Sequence, residues 1–170
     1  IQEIMISFFG GEPLVCKEAL AYFSKEASSY ANSKNIDIIY DITTNLTLLD
    51  DDVIRYINEN APKNLFRFEI GIQSTNILAN KAVYRIQNNE KLFHNIKLIQ
   101  DANIIDLHLD LIAGLPYEDY ASFINTFNEV LSLRPKELQI GFLKLLKGTK
   151  LYQEKEMYGY KFNNSSPYDI

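Results

Sequence analysis

Ile4-Met5-Ile6-Ser7-Phe8-Phe9-Gly10-Gly11-Glu12-Pro13 is the stretch whose reading decides the fold. An apolar, β-rich run stops at a pair of glycines. Beyond it, from about Val15 to Ser33, the apolar residues Leu20, Phe23, Ala27 and Ala31 recur at helical spacing. A strand that passes through a tight turn into an amphipathic helix is the first half of a βα unit.

The same unit repeats along the chain. A second strand over Ile36–Thr43 runs into Thr44-Asn45, and Asp50 caps a short helix with Val53, Ile54 and Ile57 on one face, which Pro62 and Asn64 end. Leu65–Ile72 reads as a third strand. Asn88–Ala102 reads as a helix carrying Leu92, Ile96 and Ile99. Ile104–Ile112 is a fourth strand, closed by Gly114-Leu115-Pro116. A helix over Tyr120–Leu133 carries Phe123, Phe127 and Val130, and a fifth strand, Leu138–Leu146, stops before Gly148. Strands that recur at roughly 30 residues leave room for a crossover helix, so the pairing is parallel. Their Ile, Leu and Phe content suits strands covered by helices, and the class is α/β with a parallel sheet. Periodicity alone leaves open whether that sheet is flat or curled into a barrel.

The composition narrows the function classes. With 170 residues, 46% hydrophobic and 23% charged, the chain can bury one substantial core. A net charge of -5 argues against a nucleic-acid partner, since phosphate binding wants clustered Lys and Arg. No apolar run approaches the roughly 20 residues of a membrane span. Cys16 is the single cysteine, so no internal disulfide forms, and the cytoplasm is the expected compartment. Cys16 reads as a small buried hydrophobe on the first helix. The first strand begins almost at Ile1, and Ser166–Ile170 carries no terminal motif, so an internal fragment of a longer protein is expected.

Polar residues gather at the strand ends, where α/β proteins keep their chemistry. The first strand finishes in Gly-Gly-Glu-Pro and the second in Thr43-Thr44-Asn45. Alternation puts Glu69, Gly71 and Gln73 on one face of the third strand, and Asp106, His108 and Asp110 on one face of the fourth. Buried carboxylates cost several kcal/mol unless partnered. Each could be a satisfied structural group, but recurrence at successive strand ends points to a shared ligand. Lys144 and Lys147 read as solvated rim charges, with reach to an acidic substrate as the alternative, and His94 and His108 lack metal-ligand spacing.

Taken together, these pieces resemble the radical S-adenosylmethionine superfamily. Phe8-Phe9-Gly10-Gly11-Glu12-Pro13 is similar to its second-strand motif, which implies that Glu12 and the backbone hold the amino group of the cofactor's methionine. Phe68-Glu69-Ile70-Gly71-Ile72-Gln73-Ser74, with Arg85 following, resembles the fourth-strand segment of the coproporphyrinogen-oxidase and elongator-like branch. There the resemblance puts Gln73 on the ribose and Arg85 on the methionine carboxylate. His108–Pro116 resembles the fifth-strand motif, with Asp110 on the ribose hydroxyls and Ile112, Gly114 and Leu115 against adenine. Asn45, Glu69 and Ser74 complete the implied cofactor-binding set.

Glu137–Thr149 looks like a sixth strand, most similar to members with a cobalamin-binding domain related to the anaerobic magnesium-protoporphyrin IX monomethyl ester oxidative cyclase. The resemblance implies a partial parallel (βα)6 barrel over residues 1–148, with five of six strands present and the first strand and its cluster loop upstream. Residues 149–170, polar and Tyr-rich, would begin a C-terminal extension. A [4Fe-4S] cluster would take its Cys ligands from outside this chain. In the full-length protein it would cleave S-adenosylmethionine to a 5′-deoxyadenosyl radical acting on a small-molecule substrate, with cobalamin as a further cofactor. The fragment alone would be inactive, and its open edge would favour edge-to-edge dimers. Two rival readings stand beside this one. The first is a non-catalytic α/β nucleoside-binding or scaffold module. The second is a metal-independent lyase using Glu69 and Asp110.

Overall fold

The computed structural model describes residues 3–46, 50–60 and 66–161. The readings of Pro62, Asn64, Leu65 and Ser166–Ile170 lie outside the described residues, as does the side chain of Val53. Five strands form one sheet: β1 (Glu3–Phe8), β2 (Asp37–Thr44), β3 (Phe66–Gln73), β4 (Asp106–Ala113) and β5 (Glu137–Phe142). They pair in chain order, β1-β2-β3-β4-β5, and every pairing is parallel. This order answers what periodicity could not. A doubly wound sheet reverses its strand order at a switch point, whereas here each strand is laid beside the last, as in a barrel wall. With right-handed crossovers, an unreversed order places all connecting helices on one face.

The helices are α1 (Lys17–Ser33), α2 (Asp51–Asn60), α3 (Ile77–Ala82), α4 (Asn89–Ala102), α5 (Tyr120–Ser132) and α6 (Lys150–Gln153). A 3-10 turn over Pro13–Cys16 leads into α1. Caps explain the boundaries. Asn88 accepts from Lys91 N, and Asp119 accepts from Ser122 N at 2.8 Å. Asn103 ends α4 in the left-handed region at φ 49°.

β3 shows how the two faces divide. Phe66, Phe68, Ile70 and Ile72 are buried and alternate with half-buried Arg67, Glu69, Gly71 and Gln73. The first set joins Tyr40, Ile42, Leu107, Leu109 and Leu111 beneath Ile96 and Ile99 of α4 and Val130 of α5. The second set lines the other face of the sheet. A smaller apolar cluster, Ala79, Leu115, Leu143 and Leu145, lies beyond the strand ends with Ile112 and Tyr160 against it. No helix among the described residues is long and apolar enough to cross a membrane.

Three readings need correction. Cys16 is exposed rather than buried, because the 3-10 turn rotates it out of the α1 face. The fifth strand ends at Phe142, not Leu146, and Lys144 and Lys147 are both exposed. The short helix α3 has no counterpart in the periodicity. Only its cap signals it: Asn76 accepts from Leu78 N at 2.8 Å and Ala79 N at 3.2 Å.

Candidate functional site

The site is built at the exits of β1 to β4. Gly10 and Gly11 turn the chain out of β1 with φ of +88° and +56°, and a side chain at either would meet nothing within 4 Å. Glycine is required there by conformation rather than by crowding, and the space above stays open. Glu12 does not point freely into it. Its Oε1 accepts from Thr44 Oγ1 at 2.7 Å and Leu14 N at 3.3 Å, and its Oε2 from Asn45 N at 3.0 Å. One carboxylate thus clamps the exits of β1 and β2 and fixes the Asn45 backbone.

The exit of β3 is irregular. A bulge interrupts the register with β4 between Gly71 and Gln73, and Gln73 has φ 66°. The Gln73 side chain therefore folds back over Gly71, where a methyl group would lie 2.4 Å from its Nε2. Gly71 pairs in register with Asp110 of β4, so the Gln73 amide and the Asp110 carboxyl share one level of the wall. Gln73 Oε1 and Asp110 Oδ1 are both buried without a hydrogen-bond partner.

Arg85 approaches from the loop after α3. Its guanidinium donates to Gly71 O and, from Nε, to Gln87 Oε1 at 2.9 Å. Among the described residues no carboxylate pairs with it, and burial pulls its pKa below the usual guanidinium value. Ser74 is wholly buried. Its hydroxyl serves Glu118 and Thr126 and its carbonyl accepts from Asn80 Nδ2 and Gln87 Nε2, so it fixes the loop that carries Gln73. Ile112 is half-buried at the end of β4. Leu115 turns into the second apolar cluster, and Gly114 O accepts from Tyr160 Oη at 2.8 Å.

Below this level runs a charged wall that the motifs did not reveal. Arg67 Nε lies 3.5 Å from Asp41 Oδ1, and another of its nitrogens lies 3.5 Å from Glu137 Oε2. The Arg67–Asp41 contact is close enough for attraction, yet neither atom is aligned for a hydrogen bond. Arg67 could have been found from the alternation Phe66-Arg67-Phe68-Glu69, which places it below Glu69. Burial raises the Asp110 carboxyl to about 6. His108 and Arg67 oppose that shift, and the charge and hydrogen bond of Glu69 add to it. Burial likewise raises Asp41.

This predicts a pH-dependent stability. Above pH 6 the ligand-free fold holds a buried charge at Asp110 that the unfolded chain keeps solvated. Below 6 the folded carboxyl is neutral. Asp110→Asn should therefore stabilise the ligand-free protein by about 1–2 kcal/mol at pH 8, a gain that shrinks as pH falls through about 6. Thermal melts of both forms across that range check the sign.

A cleft of about 430 Å³ between α1 and α2 lies on the helix-covered face, lined by Leu14, Tyr56 and Phe68. Its lining includes none of Glu12, Asn45, Gln73, Arg85 and Asp110, so it is no part of this site.

The sequence matches the family model described as Radical SAM superfamily over residues 3–130. The chain belongs to the radical SAM superfamily. An oxygen-independent coproporphyrinogen III oxidase of Synechocystis is 29% identical over 133 residues, which is 77% of this chain and 28% of the oxidase. Coproporphyrinogen III oxidase HemN of Escherichia coli, a radical SAM enzyme, superposes with a TM-score of 0.66 at 20% identity over 85% of this chain and 33% of HemN. Elp3 of the archaeon Methanocaldococcus infernus gives 0.74 at 18% identity, over 94% of this chain and 41% of Elp3. The two structural likenesses show the fold: five parallel strands consistent with a partial radical SAM barrel. The chain thus spans less than a third of the length of its Synechocystis relative.

Radical SAM membership implies S-adenosylmethionine and a [4Fe-4S] cluster. The cofactor fits the groups present: the buried Gln73 Oε1 has no donor, the Asp110 carboxyl lies at the same level, and the Arg85 cation has no carboxylate partner among the described residues. The cluster does not fit this chain's own residues. Cys16 is its only cysteine, and no cluster of His, Cys, Asp or Glu among the described residues could hold a metal.

Proposed function

We propose that the full-length protein is a radical SAM enzyme and that this chain supplies its S-adenosylmethionine site. The family match and the coproporphyrinogen oxidase relatives support an enzyme. The observation that carries the site is the set of groups gathered at one level: the buried, donor-less Gln73 Oε1, the Asp110 carboxyl in register with Gly71, and the Arg85 guanidinium with no carboxylate partner among the described residues. Arg85 offers a planar fork to the methionine carboxylate. Gln73 and Asp110 take the ribose diol, with Glu69 beside them.

Gly10 and Gly11 bring backbone oxygens close to the ammonium, and Glu12, Pro13 and Asn45 shape that corner. Ile112 and the Gly114 backbone offer adenine an apolar shelf, which Leu115 supports from beneath and Ser74 steadies through its loop. When bound to a cluster held by cysteines outside this chain, the cofactor supplies one-electron cleavage of its sulfonium bond.

Finer features of the parent are part of the same proposal. Likeness over Glu137–Thr149 supports a cobalamin-binding, cyclase-like branch. Residues beyond 148 belong to an extension, and Tyr160 ties its start to the β4 exit. The substrate is a small molecule, the compartment the cytoplasm, and the isolated piece pairs through its sheet edges, where Met5 of β1 and Phe142 of β5 are 54% and 66% exposed. Anaerobic iron–sulfur reconstitution of the full-length protein, followed by reduction with S-adenosylmethionine present, should release 5′-deoxyadenosine. Cofactor binding without that product would favour the non-catalytic nucleoside module.

A further inference from the structure

One buried imidazole on the inner wall is not used by the cofactor set above. His108 is 8% exposed and lies on β4, two residues before Asp110. Its Nε2 stands 3.1 Å from Asp110 Oδ1, and its Nδ1 stands 3.2 Å from Glu137 Oε2. The Arg67 guanidinium also reaches Nδ1, and a guanidinium can only donate.

These neighbours restrict the ring. If Nδ1 accepts from Arg67, the ring proton is on Nε2. If Nδ1 donates to Glu137 in the charged ring, Nε2 is protonated as well. Either state presents an N–H to Asp110. The remaining tautomer sets a lone pair against the carboxylate, which works only once Asp110 itself carries a proton. Nε2 and Oδ1 are close but out of line, each buried without a hydrogen bond. A small turn of the carboxyl group brings them together.

We propose that His108 is a positioning residue of the diol site, whose Nε2–H holds one oxygen of Asp110 as an ionised acceptor and leaves the other to the ligand hydroxyls. This rests on the cofactor reading above. Metal-bound histidines are commonly oriented through their second nitrogen, and the arrangement here applies that logic to a carboxylate. Among the described residues, three charged or titratable groups act directly on Asp110. Glu69 of β3 opposes its ionisation, while Arg67 of β3 and His108 favour it. Asp41 of β2 and Glu137 of β5 balance Arg67 from either side.

The test measures S-adenosylmethionine binding by equilibrium dialysis on the reconstituted full-length protein, from about pH 5.5 to 8.5. The ligand's own ammonium titrates near 8, alike for every variant, and so cancels in comparisons. H108F keeps the ring volume but no donor. Its affinity should fall by roughly fivefold or more at pH 6.5 and recover to within about twofold by pH 8.5, as the midpoint of binding moves up.

A Gln amide nitrogen can reach the Nε2 position, whereas an Asn amide reaches only that of Nδ1. H108Q should therefore follow the unchanged protein, and H108N should follow H108F, which keeps the question answerable if H108F does not fold. Equal loss at every pH, or an unmoved midpoint in both donor-free variants, would overturn the assignment of His108. No binding by the unchanged protein at any pH would instead overturn the cofactor reading.

Discussion

Arg85→Ala in the reconstituted full-length protein is expected to weaken S-adenosylmethionine binding by roughly ten- to a hundredfold, the loss of about 1.5–3 kcal/mol that attends a hydrogen bond to a charged group. The guanidinium spends two donors on Gly71 O and Gln87 Oε1, and among the described residues no carboxylate balances its charge. Burial already disfavours that charge, so an incoming carboxylate gains both attraction and relief. Arg85→Lys should recover only part of the affinity, because an ammonium cannot keep the Gly71 contact and also present a fork. Isothermal titration of the three forms checks the order. Affinity within twofold of the unchanged protein in Arg85→Ala would remove the carboxylate assignment and leave Arg85 as a latch on β3.

Glu12→Ala should act first on the fold. The side chain holds Thr44 Oγ1, Asn45 N and Leu14 N at once, joining two strand exits and capping the 3-10 turn before α1. Removing a half-buried carboxylate with three donors left behind should cost about 2–4 kcal/mol. Glu12→Gln keeps one acceptor oxygen and should recover about half of it. Chemical denaturation of the ligand-free forms measures this directly, and a loss under about 0.5 kcal/mol would show that the clamp is incidental. The functional consequence is indirect but large. Glycines at positive φ have many alternatives once the loop after them is untied, so the Gly10-Gly11 turn would lose the shape that lets a ligand approach.

The sheet was legible because each parallel strand announces itself by an apolar run and a turn, and helix caps such as Asn88 and Asp119 stand where the pattern changes. The strand-end residues were legible as a group for the same reason, since a strand end is a place before it is a structure. What stayed hidden depends on facts that a linear pattern does not carry. Gln73 faces Asp110 only because a bulge and a positive φ turn it back over Gly71. Ser74 reads like a ligand contact but spends its hydroxyl on Glu118 and Thr126, residues more than forty positions away. Arg67 and Glu137 meet at His108 through the registers of three strands, and no spacing within one segment encodes that meeting. Cys16 looked buried by residue type, but the 3-10 turn set its direction first.

The bonds at the strand exits fall into two couples. Glu12 ties β1 to β2, while Asn76, through Tyr117 O and Ser122 Oγ, ties the β3 exit to the segment after β4. A nucleoside lying from the Gly10-Gly11 corner to Asp110 would span both couples, as a brace nailed across two hinged frames. Its arrival would be felt as stiffness along the whole rim, and residues that never touch it would lose freedom together.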